Sequence, residues 1–436
     1  MTAEIAILNK NAVALAADSA VTLKNPETQK VYNTANKLFM LSKYHPVGIM
    51  VYGSAALMGI PWETVIKMYR AELGTMNFDN LIDFAEHFFR FVEDSDLLFP
   101  PSLQESTFSS MCRWVLNQLK QQIDTAVQAE ISANNGIDDD GVARVIAQAV
   151  DSQLQYWEQL RRLECFPEGY ETQILAKYSE ALRILLDAVF LQLPIEAERA
   201  KLLKICACRS TKDWWSLNNS GVVVAGFGRK EFLPVVHSYT VETVLDRRLK
   251  RDRQPNLSND MGESSVASII PFAQAEIVHR FIRGIDPDYK KEITALLRNL
   301  LTDEYPNKVT ADFQDRVSEE DRRNAKAELI RIGRAIIESF DDQWANWEHQ
   351  KFVGPVLDIV GDLPKDELAA MAESLVNLTS FKRRISAEAE TVGGPIDVAV
   401  ISKGDGFVWI KRKHYFHKDL NPAFFANYYR RERDGQ

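Results

Sequence analysis

The stretch that most constrains this fold is the first one. Ala3 to Leu8 alternates with strong β character, Asn9-Lys10-Asn11 supplies turn residues, and Ala12 to Ala17 runs apolar again. That is the pattern of a β-hairpin starting at residue 3. A chain terminus is seldom built straight into a sheet without reason, which draws attention to Met1 and Thr2 just ahead of it. The other sheet-forming pieces are dispersed. Val47 to Tyr52 ends at Gly53, Gly221 to Phe227 and Phe232 to Val236 form a second hairpin-like pair, and Ile396 to Ile401 and Phe407 to Ile410 flank a Lys-Gly-Asp-Gly turn at 403–406.

Helical patterns fill the intervals. Val115, Leu116, Leu119 and Ile123 follow the 3.6-residue period, as do Ile174, Leu175, Tyr178 and Leu182, with breaks at Pro100-Pro101, Asn134-Asn135-Gly136 and Pro167-Glu168-Gly169. The Phe88, Phe89, Phe91 segment reads as core packing. Ile269 to Ile285 reads as a buried helix. A further helix over 365–381 carries Leu368, Met371, Ala372, Leu375, Val376 and Leu378 on one face. The expected organisation is a sheet-forming core at 1–61, 208–286 and 363–436, interrupted by helical insertions at 62–207 and 287–362.

Composition narrows the class. The chain has 436 residues, 46% hydrophobic and 26% charged, which suits a globular protein with a sizeable core. A net charge of -9 argues against nucleic acid as the main partner. The basic run Arg247, Arg248, Lys250, Arg251 and Arg253 reads as a solvated loop. Cys112, Cys165, Cys206 and Cys208 form no CxxC pair and the seven histidines are scattered, so a metal centre has little support. No leader and no membrane-spanning run is recognisable, which points to a cytoplasmic protein with reduced thiols and no membrane partner.

The chemistry begins at Thr2. An N-terminal threonine can act as nucleophile and base together: its hydroxyl attacks and its free α-amine accepts the proton. The amine suits that task because its unperturbed pKa, about 7.7–8, lies near working pH. A Met-Thr start alone carries little weight.

The surrounding residues carry more. Ala16-Ala17-Asp18-Ser19 resembles the Ala-Ala-Asp-Ser signature of proteasome β subunits, and of the related bacterial HslV and Anbu-type proteins. Asp18 lies sixteen residues beyond Thr2, the family's spacing. Asn36-Lys37-Leu38-Phe39 resembles the segment holding the family's catalytic lysine. Gly53-Ser54-Ala55-Ala56 resembles its oxyanion-hole turn, and Gly393-Gly394-Pro395-Ile396-Asp397 leads into what looks like its closing strand pair. The resemblance covers about half the chain, in blocks near 1–60, 210–285 and 365–412.

It implies an α+β fold, the four-layer αββα sandwich of N-terminal-nucleophile (Ntn) hydrolases, built on two antiparallel sheets. It implies Thr2 as nucleophile after Met1 removal, Lys37 as the charge favouring the deprotonated hydroxyl, Asp18 as its holder, and Gly53 as oxyanion donor. Ser19 is a further supporting candidate. The family's supporting Asp and Ser have no clean match: Glu388 or Glu390 stands near the first, Ser264 or Ser265 near the second. Plainer readings sit beside each of these. Asp18 suits a turn cap, Lys37 a surface lysine, Gly53 a strand-ending glycine, Glu388 and Glu390 a solvated loop, and Ser264 or Ser265 the N-cap of the helix expected from Ile269.

The function implied is a threonine-type peptidase acting on peptides or unfolded proteins, requiring no metal or organic cofactor, homo-oligomeric, with room for an ATPase or other protein partner. A small-molecule amidase or acylase on the same fold, and an inactive assembly-forming relative, are the alternatives.

Overall fold

The structure, a computed structural model, describes residues 3–25, 28–191, 193–262, 266–312, 317–385 and 392–429. The chain is a mixed α+β protein with two antiparallel sheets and many helices. The strands of these two sheets are β1 (Ala3–Asn9), β2 (Ala12–Ala17), β3 (Leu38–Met40), β4 (Val47–Gly53), β5 (Ser220–Gly226), β6 (Val235–Leu245), β7 (Arg248–Arg253), β8 (Asn259–Asp260), β9 (Ala267–Ala273), β10 (Asp397–Ser402) and β11 (Gly406–Lys411), and two short hairpins, Val21–Asn25 with Thr28–Tyr32 and Ala56–Leu57 with Ile60–Pro61, stand apart from them. The helices that matter below are α1 (Trp62–Leu73), α2 (Leu81–Asp94), α3 (Pro101–Asn134), α4 (Asp139–Gln159), α5 (Tyr170–Lys177), α6 (Ser179–Phe190), α7 (Arg199–Thr211), α8 (Glu276–Arg283), α9 (Gly354–Asp362) and α10 (Lys365–Ile385). Among the described residues no helix is long and apolar enough to cross a membrane.

Two compact units divide the chain. The first comprises residues 1–35, 261–402 and 408–436, the second 36–260 and 403–407.

The first unit is organised by the sheet β9-β1-β2-β10-β11. Its hairpin turn is fixed by Asn9, which is fully buried and fully occupied. The side-chain oxygen accepts from the N–H of Asn11 (3.0 Å) and Ala12 (3.2 Å), while the amide donates to the carbonyls of Val360 (3.1 Å) and Leu363 (2.9 Å) at the end of α9. On one face of the sheet, Ile5 and Ile7 of β1, Ala14 and Ala16 of β2 and Val398 and Val400 of β10 pack on Leu368, Ala372, Leu375 and Val376 of α10. The alanines of β2 keep that face shallow, so the helix settles close to the strands. Each large aliphatic side chain buried here contributes about 1.5–3 kcal/mol.

One expectation fails in this unit. Ile269 to Ile285 is not a helix. Its first part is the strand β9, paired with β1 from Ala3↔Ala273 to Asn9↔Ala267, and helix α8 begins only at Glu276. A continuous apolar run cannot distinguish a buried strand from a buried helix by periodicity. The pairing with β1 decides the matter, because Pro271 would fall in the first turn of a helix begun at Ile269, where proline is tolerated. In a strand it is tolerated at an edge, and β9 is the edge of this sheet. No helix therefore starts where Ser264 or Ser265 was expected to cap one.

The second unit holds the sheet β7-β6-β5-β4-β3, with β8 added beside β6. Val47, Ile49 and Val51 of β4, Val222 and Val224 of β5 and Tyr239 of β6 pack on Trp62, Ile66 and Tyr69 of α1 and Phe84, Phe88 and Phe89 of α2. The helices α3 to α7 enclose a separate core that includes Leu116, Ile146, Leu186 and Ile205, and Leu245 at the end of β6 reaches into it.

The basic run is also corrected. Residues 248–253 form the strand β7, and Lys250 is fully buried rather than solvated. Glu242 of β6 explains why. Its carboxylate takes both arms of the Arg209 guanidinium (2.8 and 3.2 Å) and the Lys250 ammonium (2.9 Å), and accepts the N–H of Ser216 (2.9 Å). Lys250 also donates to the carbonyls of Arg209 (3.1 Å) and Trp214 (2.7 Å), so every charge in the cluster is bonded. Burial by itself would raise the Glu242 carboxyl, but Lys250 and Arg209 outweigh it and lower it to about 2. Burial lowers the Lys250 ammonium to about 8 against the pull of Glu242.

Breaking this cluster leaves two buried cations unneutralised. Glu242→Gln is expected to cost about 3–5 kcal/mol of stability by chemical denaturation at neutral pH. Because the folded Glu242 titrates below its unfolded value of 4.5, its contribution is complete above pH 4.5 and disappears as pH falls toward 2. The difference between wild type and Glu242→Gln should therefore shrink over that interval.

Candidate active site

Of the residues singled out from sequence, Asp18, Ser19, Lys37 and Gly53 fall among the described residues. Thr2, Ser264, Ser265, Glu388 and Glu390 lie outside them.

In the first unit Asp18 follows directly on β2 and is 1% exposed. One carboxylate oxygen accepts the N–H of Ala3 at 3.1 Å. The other accepts the N–H of Gly393 at 3.0 Å and that of Ala20 at 3.3 Å. The Ala20 bond is the local turn contact that an aspartate at this position would make anyway. The other two are long-range, and the Asp18 N–H returns a bond to the Ala3 carbonyl at 3.1 Å. The backbone next to residue 2 is thus held from both sides by one residue.

Ser19 is buried and continues the clamp. Its N–H donates to the Gly393 carbonyl (3.2 Å), its hydroxyl donates to the Pro395 carbonyl, and its own carbonyl accepts from Ala35 (3.1 Å). Gly394 has φ +79°, and a Cβ there would come within 2.7 Å of the Asn33 side chain. The second glycine of the pair is therefore required by conformation and by space.

Lys37 and Gly53 belong to the second unit. Lys37 sits immediately ahead of β3 and is 4% exposed, so it is not a surface lysine. Its carbonyl accepts the N–H of Val51 on β4 at 2.9 Å, tying it to the strand that ends at Gly53. Gly53 has φ +80°, and an added Cβ would lie 2.8 Å from the Asn219 carbonyl oxygen. Conformation alone thus demands glycine at this strand end.

The turn after Gly53 is fastened by residues that sequence reasoning missed. Ser54 donates its N–H to the Asn219 carbonyl (3.0 Å). Trp62 Nε1 donates to Ser220 Oγ (2.8 Å), which donates to the Ser54 carbonyl (3.0 Å). Asn219 and Ser220 are more than 150 residues from the turn they hold, and no local pattern marks them. Among the described residues no three His, Cys, Asp or Glu side chains gather as metal ligands.

No protein-family model matches the sequence, and no curated protein matches it.

Two substitutions probe this geometry. Asp18→Asn keeps the size but turns an acceptor into a donor opposite backbone N–H groups, and should lower stability by about 1–3 kcal/mol in denaturant titration. Gly53→Ala is strained in both φ and space, and should cost at least about 1 kcal/mol, read as a lower thermal midpoint.

Proposed function

We propose that this chain is a threonine-type amidohydrolase of the Ntn class, cleaving peptide bonds with Thr2 as nucleophile once Met1 is removed. Its two antiparallel sheets would then be those of the αββα sandwich. The observation that supports this reading best is the Asp18 carboxylate bonded to the N–H of Ala3, the residue after Thr2. A nucleophile that doubles as its own base needs its backbone fixed, because hydroxyl and amine must both face the carbonyl under attack.

In this scheme the Thr2 hydroxyl adds to the substrate carbonyl and the α-amine takes its proton. The amine then protonates the leaving nitrogen as the C–N bond breaks, leaving an acyl-enzyme ester that water hydrolyses. Lys37 is the buried cation assigned to favour the deprotonated hydroxyl and the neutral amine. Gly53 is assigned the N–H that meets the developing oxyanion. A donor so placed lowers the barrier by about 3–4 kcal/mol.

The test has two parts. Intact mass should show a mature protein beginning at Thr2, gaining one adduct with a threonine-directed electrophile. Cleavage of a casein-like substrate should disappear in Thr2→Ala. Retention of Met1, or hydrolysis that survives Thr2→Ala, rejects the assignment.

A further inference from the structure

We infer that the helix Glu319–Glu348 of the first unit pairs with the same helix of a second copy of the chain, antiparallel, about a two-fold axis near Ala335 and Ile336. One side of this helix is packed within its own chain, where Gly333, Ile337 and Glu348 are buried. The opposite side carries a second apolar stripe. Ile332 is 43% exposed and Ile336 50%, and Ala335, Ser339 and Gln343 continue the stripe in solvent. Spacings of three and four residues keep all five on one face, where they line a shallow groove along the helix. Contiguous exposed apolar surface of this kind marks an interaction site.

The order of the residues indicates what covers it. Ile332 and Ser339 are equally far from the midpoint between Ala335 and Ile336, on opposite sides of it. In an antiparallel pair centred there, Ile332 meets Ser339 of the second copy and Ile336 meets Ala335. Each large side chain thus faces a small one, which lets two helices pack at about 8–10 Å between axes. The contact is isologous, so one patch serves both copies.

Charge makes the same choice. Residues 322–334 carry five cations and one anion, and residues 335–348 four anions and no cation. Arg331, Glu338 and Asp342 fall along one edge of the stripe, and all three are exposed. Glu338 and Asp342 are like charges one turn apart, and neither has an ion pair among the described residues. Arg331 rests on Glu328 through Nε (2.8 Å) and one terminal nitrogen (2.5 Å), an exposed contact that contributes little and leaves Nη1 uncommitted. Across the two-fold axis Arg331 comes level with residue 340 of the second copy, between its Glu338 and its Asp342. A parallel pair would set Arg331 against Arg331 and Glu338 against Glu338. The helix therefore carries both halves of its own complement, and a second copy is the occupant that fits. This pairing does not depend on the chemistry assigned to Thr2.

Sedimentation velocity of the full chain over about two decades of concentration tests this. The expected result is self-association that weakens about tenfold or more in Ile336→Glu. Arg331→Glu alone should weaken it likewise, and so should Glu338→Lys with Asp342→Lys in one chain. An equimolar mixture of those two variants should associate again, because every cation at the axis then faces an anion. All four positions are exposed, so the variants should keep the far-ultraviolet circular dichroism of the wild type. A wild-type chain that stays monomeric throughout would leave the stripe to some other partner and overturn the inference. So would association indifferent to Ile336→Glu, or a mixture of folded charge variants that does not associate.

Discussion

A single buried carboxylate joins the two ends of the first unit. Asp18 bonds Ala3 at the start of β1 and Gly393 at the approach to β10, and the latter lies 375 residues away in the chain. Without it the first hairpin would still pair locally, but β10 would lose one of the anchors that bring it alongside β2, leaving those from Ser19 to Gly393 and Pro395. That pairing, Ala16 against Val398 and Ala14 against Val400, closes the sheet across most of the sequence. Loop-closure entropy grows only slowly with length, so so long a connection is thermodynamically tolerable, although non-local pairing slows folding. The charge also explains why the hairpin ends where it does. A carboxylate that must meet three N–H groups cannot continue the strand's outward alternation.

The second unit solves a different problem, that of attaching a helical block to a sheet. Hydrophobic contact does part of it through Leu245. The rest falls to Glu242, whose carboxylate binds α7 through Arg209 and β7 through Lys250. Trp214 covers the Arg209 guanidinium at 4.3 Å and Trp215 the Lys250 ammonium at 5.0 Å, so the aromatic rings shield the cluster and also attract its cations.

Much of this could be read before any coordinates, and the exceptions have physical causes. The strands β1, β2, β4, β5, β10 and β11 were legible because turn residues bracket short β-rich runs. The amphipathic face of α10 was legible because its period is long enough to declare itself. The segment from Ile269 was misread because it is apolar throughout and its strand half is recognised only by pairing with β1. The run through Lys250 was misread because composition suggests solvent, while burial was decided by Glu242 on the neighbouring strand. At the candidate site, a turn carboxylate at Asp18 and a strand-ending glycine at Gly53 were visible from local context. Asn219, Ser220 and Trp62 were not, since their roles exist only once β4 and β5 lie side by side.

Pro271 has a further consequence for how copies of this protein meet. A strand at the rim of a sheet normally offers a ladder of donors and acceptors to any passing chain, the usual seed of unwanted association. On β9 that ladder is interrupted at Pro271, which has no N–H to offer. Side-by-side strand addition is disfavoured at this rim both in the native protein and in any partly folded form with β9 in place. Assembly of the protein into larger particles would have to use side chains rather than shared backbone there, and that makes its geometry a matter of surface complementarity.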